Sequence, residues 1–76
     1  MIRTKYKRWI LETSGPHRDR TYTAWIYNPK RHVIGYGQGT SESDAVARAL
    51  CDAGRHALND LDALNGIEDR YFGREG

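Results

Sequence analysis

Three segments, residues 6–12, 21–27 and 32–37, place apolar side chains at the two-residue period of β-strands, separated by polar turns. From Ser41 onward the apolar positions recur at the three- and four-residue spacing of a helix. Residues 6–12 read as a first strand, with Trp9 and Leu11 on one face and Tyr6 and Ile10 on the other. Ser14, Gly15 and Pro16 form a turn signal. Residues 21–27 are the clearest strand, dominated by β-branched and aromatic side chains. Tyr22, Ala24 and Ile26 share one of its faces, and Thr21, Thr23, Trp25 and Tyr27 the other. After a polar turn at residues 28–31, residues 32–37 make a third strand containing Val33, Ile34 and Tyr36. Connections this short imply an antiparallel meander.

Gly35, Gly37 and Gly39 alternate at the end of the third strand, a pattern suited to close backbone approach or unusual φ angles. Their spacing is neither the dinucleotide nor the Walker pattern. Ser41 with Asp44 resembles a capping box that opens a helix, and Glu42 and Asp44 suit its dipole. Ala45, Val46, Ala49, Leu50, Ala53 and Ala57 form the apolar stripe, which Leu58, Leu61 and Leu64 extend toward an Asn65-Gly66 stop. The helix therefore ends near residue 58 or runs to 65, with a break near Asn59 and Asp60 as the alternative. Ile67, Tyr71 and Phe72 predict a helical turn or ordered tail within a C-terminal extension at residues 66–76. The expected fold class is α+β: a three-stranded antiparallel sheet at about residues 6–37 packed on one long helix (β-β-β-α), with a short C-terminal helical extension, all in one domain spanning 1–76. The expected core joins Tyr22, Ala24, Ile26 and Ile34 to Val46, Ala49, Leu50 and Ala53.

Length bounds this picture, because 76 residues supply one domain and a small core. The chain reads as complete, opening on Met1 and ending in the polar residues Arg74, Glu75 and Gly76. No apolar run approaches the roughly 18 residues of a membrane span, and no apolar stretch follows the basic start to make a signal peptide. Cys51 is the single cysteine and reads as a small apolar helix residue; with no disulfide to form, a cytoplasmic location is expected, in the host cytoplasm if the protein is phage-encoded. Charge is unevenly spread. Residues 1–40 carry eight Lys/Arg against Glu12 and Asp19, a net +6, whereas residues 41–76 net −4. The basic half would attract a polyanion.

Candidate chemistry is sparse. His17, His32 and His56 lack metal-ligand spacing, so no metal and no cofactor is expected. Ser14 and Ser41 read as turn and cap residues rather than nucleophiles, so no enzyme activity is expected. Asp60, Asp62, Glu68 and Asp69 read as a solvated face, with mimicry of nucleic-acid charge toward a basic partner as the alternative. The aromatic residues carry more information. With Tyr22, Ala24 and Ile26 under the helix, Trp25, Tyr27, Trp9 and Leu11 point the other way. Exposed patches of that kind mark interfaces. The alternatives are that the C-terminal segment folds over them, or that nucleic-acid bases stack on them beside Lys7, Arg8, Arg18, Arg20, Lys30 and Arg31. The expected partner-binding set is Trp9, Trp25 and Tyr27 with Arg8, Arg18, Arg20 and Arg31.

The order β-β-β-α with these turns resembles the double-stranded RNA-binding domain over roughly residues 6–58. The residues carrying the likeness are Ser14-Gly15-Pro16-His17-Arg18, then Arg20-Thr21-Tyr22-Thr23, then Gly35-Tyr36-Gly37-Gln38-Gly39-Thr40-Ser41, and the helix alanines Ala45, Ala49 and Ala53. The resemblance implies a nucleic-acid contact at His17, Arg18, Arg20, Lys30 and Arg31. The family's N-terminal helix is missing, and Glu42 and Ser43 occupy the positions of its two phosphate-binding lysines. In size and architecture the chain is also similar to small phage-encoded proteins, among them anti-CRISPR inhibitors. These features together imply a non-catalytic inhibitor or adaptor that binds a protein or nucleoprotein, such as a CRISPR effector complex, or itself as a homodimer. The alternative is an RNA- or DNA-binding module.

Overall fold

The computed structural model describes residues 2–73; Met1 and the Arg74-Glu75-Gly76 end of the expected extension lie outside them. Where a three-stranded sheet was expected there are four strands: β1 (Ile2–Tyr6), β2 (Trp9–Ser14), β3 (Tyr22–Tyr27) and β4 (Val33–Gly39). They form an antiparallel meander in chain order. The stretch expected as one strand from residue 6 is broken by a two-residue turn at Lys7 and Arg8, which pairs Tyr6 with Trp9. Lys7 sits at φ 56. A positive φ at the first loop position belongs to the turns whose twist matches paired strands. No Gly, Asn or Asp marks this turn, which is why it is hidden in the sequence.

Two helices cover one face of the sheet. Helix α1 (Glu42–His56) lies over β3 and β4, α2 (Leu61–Phe72) lies over β1, and both reach β2. A single 3-10 turn, Leu58–Asp60, separates them, so the break expected near Asn59 and Asp60 is the form the chain adopts. Ser41 caps α1 by accepting the Asp44 N–H at 3.1 Å, as half of a capping box requires; the Asp44 carboxylate instead accepts from Arg48 Nε at 3.1 Å. Asn65 and Gly66 do not stop α2, which continues to Phe72 and ends at Gly73 in the left-handed conformation. Gly66 is needed for packing: a Cβ there would collide with the Tyr6 ring.

The core lies between these layers. Leu11, Ala24 and Ile26 from the sheet meet Ala45, Val46, Ala49 and Ala53 of α1 and Leu64 and Ile67 of α2. Tyr22, Ile34 and Leu50, expected in the core, pack on its margin. Leu58 and Leu61, expected on the buried stripe, are instead exposed, because the helix breaks there. Cys51, expected as an apolar helix residue, also faces solvent.

Gly35 and Gly37 explain how α1 comes so close. A Cβ on Gly35 would lie 2.5 Å from the Ala49 carbonyl oxygen and 2.7 Å from the Ala53 Cβ, and one on Gly37 would strike the backbone of Ala45 and Ala49. The alternating glycines are thus a seat for a small-residue helix face, with ordinary backbone angles.

Candidate functional surface: the open face of the sheet

Residues opposite one another in an antiparallel pair project to the same face. The strand registers therefore order the uncovered face into rows. One row runs Lys5, Ile10, Tyr27, Val33 across β1 to β4. The next runs Arg3, Glu12, Trp25, Tyr36, and a third brings Ser14 beside Thr23 and Gln38. In both of the first two rows the cation sits at the β1 edge and the aromatic residues lie toward β4. Trp25 and Tyr36 form a tilted pair with centroids 6.3 Å apart. Tyr36 is 49% and Val33 51% exposed, while Trp25, Tyr27 and Ile10 are half-buried. Ile34 is the extra residue of a β-bulge between these rows.

Trp9 is a correction. Both it and Leu11 were expected on the face of Trp25, but the β2–β3 register sets Leu11 opposite Ile26, and Trp9 shares the face of Leu11, so both are buried on the helix side of the sheet. The C-terminal segment does fold over an aromatic side chain, but on the helix side of the sheet; it leaves Trp25 and Tyr27 uncovered by either helix.

The expected basic residues separate into two groups. Hairpin topology places Arg8, Lys30 and Arg31 in the loops at one end of the sheet, and His17, Arg18 and Arg20 in the long loop at the other. All six are exposed. The second loop is self-tied. His17 Nε2 and Thr23 Oγ1 are 2.9 Å apart, and Asp19 accepts from both the Thr21 amide and hydroxyl. Those bonds, the Thr21 hydroxyl first, hold the Asp19 carboxyl below its ordinary range.

In the first group Asn28 does the shaping. Its side-chain oxygen accepts the Lys30 and His32 amides at 3.0 and 2.9 Å, and its carbonyl accepts the Arg31 N–H at 2.8 Å. Arg31 is thereby held at φ 65, a conformation in which glycine is the unstrained residue.

Arg31 then lines a half-open cavity of about 340 Å³ with Arg3, Lys5, Ile10, Glu12 and Tyr27. Inside it Arg3 Nε pairs with Glu12 Oε2 at 3.2 Å. Burial raises the Tyr27 phenol above its ordinary pKa, with help from the charge of Glu12 and its hydrogen bond. Arg3, Lys5, Ile10, Glu12 and Tyr36 were not singled out from sequence as surface residues. Tyr36 was legible: it alternates with Gly35 and Gly37, which face the helix.

At the opposite edge, a second hollow of about 350 Å³ is lined by residues 33–36 with Asp52 and His56. Asp52 accepts the Tyr36 N–H at 3.0 Å and so occupies part of the β4 edge. Among the described residues no three His, Cys, Asp or Glu side chains are grouped to hold a metal ion, and no helix is long and apolar enough to cross a membrane. Comparison with protein-family models finds no match, and comparisons with curated proteins and with solved structures likewise find none.

Proposed function

We propose that the protein is a non-catalytic binding module, an inhibitor or adaptor whose working surface is the open face of the sheet and whose partner is a nucleoprotein. One observation carries the reading: Trp25, Tyr27 and Tyr36 lie together on the face that neither helix covers, in rows that begin with Arg3 and Lys5. Aromatic residues and arginine are the side chains most enriched at binding hot spots. The charge distribution supports the same choice. Residues 42–72 of the helical layer carry seven Asp/Glu against three Arg, so the polyanion-attracting side is the sheet. The chain's small size is also similar to that of phage-encoded inhibitors of CRISPR effector complexes.

The duplex-RNA mode implied by the double-stranded RNA-binding domain is the weaker reading. Glu42, at one of that family's lysine positions, accepts a hydrogen bond from the Tyr71 hydroxyl and joins α1 to α2. An anchored carboxylate in the first turn of α1 repels a phosphate backbone. Duplex RNA should bind no tighter than the non-specific range of about 10⁻⁴–10⁻⁶ M near physiological salt.

Affinity isolation of the tagged full chain from a lysate of its native host, with and without nuclease, tests the proposal. The wild type should retain a nucleic-acid-containing complex. The Trp25→Ala variant, with an unchanged circular dichroism spectrum, should lose it. Equal retention by both would refute the open face as the working surface.

A further inference from the structure

We propose that the cavity walled by Arg3, Lys5 and Arg31 is a phosphate subsite for single-stranded nucleic acid, with unpaired bases stacking on Trp25, Tyr27 and Tyr36. The inference rests on the open-face reading above and names the chemistry of its partner. Three cations and one carboxylate line the cavity, leaving it a net charge of +2. The carboxylate, Glu12, is already engaged by Arg3 and Tyr27. Within the described residues no ion pair engages Lys5 or Arg31. Two cations thus face a concave space with no internal anion of their own.

The placement of Arg31 adds a second, independent argument. Its backbone is held left-handed at φ 65 by the Asn28 loop, where glycine would be relaxed. Lys7 and Arg20 also have positive φ and do not line the cavity, so what distinguishes Arg31 is where the Asn28 loop puts it. Here the loop carries a guanidinium to the cavity wall.

The aromatic residues decide between single strand and duplex. Tyr27 belongs to both the cavity and the aromatic rows, about 10 Å, or two strand spacings, from Lys5. Stacking on an exposed ring requires a base whose face is free, as in single strands, whereas a duplex hides its base faces. A basic track beside stacking rings is the arrangement used for single strands without sequence preference.

Fluorescence anisotropy of the full chain with a short labelled single strand of mixed sequence, over a salt series, tests the inference. The same strand in duplex form and a labelled polyglutamate peptide are the other arms. Two phosphate contacts, at the uncommitted cations Lys5 and Arg31, predict a slope of log K against log salt of about −1.4 for the single strand. Arg31→Gly should weaken single-strand binding about fivefold or more at low salt and reduce the slope by about 0.7, with no fall in thermal midpoint. Duplex binding as tight as single-strand binding would overturn the inference, as would an unchanged slope in Arg31→Gly. If polyglutamate binds and the single strand does not, the inference falls while the open face survives as a surface for an acidic protein. Binding of neither probe defeats the inference, and the isolation experiment then decides the broader reading separately.

Discussion

The two tryptophans show how far one residue's fate depends on strand register. Trp9 is buried in the core, so Trp9→Ala should cost about 3–5 kcal/mol, a large part of a small domain's stability. Trp25 lies on the open face, and Trp25→Ala should leave the fold standing while removing binding. Chemical denaturation of both variants checks the pair; equal losses of stability would show that Trp25 is core. Arg31 presents the opposite balance. Arg31→Gly relieves a left-handed arginine, worth about 1–2 kcal/mol, partly offset by the larger entropy of an unfolded glycine. A stability gain of up to about 1 kcal/mol, accompanied by weaker binding, would mark Arg31 as retained for function rather than for fold. Gly37→Ala should act through the fold, costing about 3 kcal/mol or more, because its Cβ meets helix backbone that cannot yield.

At the scale of elements, the alternation in β3 and the alanine stripe of α1 were legible because each period matches its element and each faces the core. Ala24, Ile26, Val46, Ala49 and Ala53 therefore lie where the pattern puts them. The first hairpin was not legible, since Lys7 and Arg8 turn the chain without glycine or asparagine. That one omission hid β1 and left Arg3 and Lys5 out of the candidate surface; the face of Trp9 was missed for another reason, the β2–β3 register that puts Leu11 opposite Ile26. The extent of α2 was equally hidden, because Gly66 looks like a stop yet serves as the seat of the Tyr6 ring. Helix α2 is tied to α1 by the Tyr71 hydroxyl and Glu42. Burial, then this hydrogen bond and the charge of Glu42, raise the Tyr71 pKa above tyrosine's ordinary 10.0. Tyr27 is raised too. A raised folded-state pKa contributes stability that is fully present below pH 10.0 and is lost as pH climbs through the folded values. Urea midpoints should therefore fall above that pH. Tyr71→Phe should cost about 1 kcal/mol at neutral pH and show a shallower alkaline loss. An alkaline slope identical to wild type would contradict the tie between the helices.

At the scale of the whole molecule, the basic front half and acidic back half of the sequence become two layers of opposite sign. The sheet brings Arg3, Lys5 and Arg31 around one cavity, while the acidic residues are carried mainly by α1 and α2. The split in charge was legible from sequence alone. Its division into two ends of the sheet was not, because only hairpin topology separates Arg18 and Arg20 from Arg8 and Arg31. A partner drawn in by this field should meet the aromatic rows first, and its association should slow as salt rises. Amide chemical-shift mapping of the full chain during titration with a short single-stranded oligonucleotide measures this most directly. The account predicts shifts concentrated at Lys5, Ile10, Tyr27, Arg3, Trp25, Tyr36 and Arg31, with the solvent-facing amides of α1 and α2 unmoved. Shifts centred on Arg48, Arg55 or the first turn of α1, with the open face silent, would contradict it.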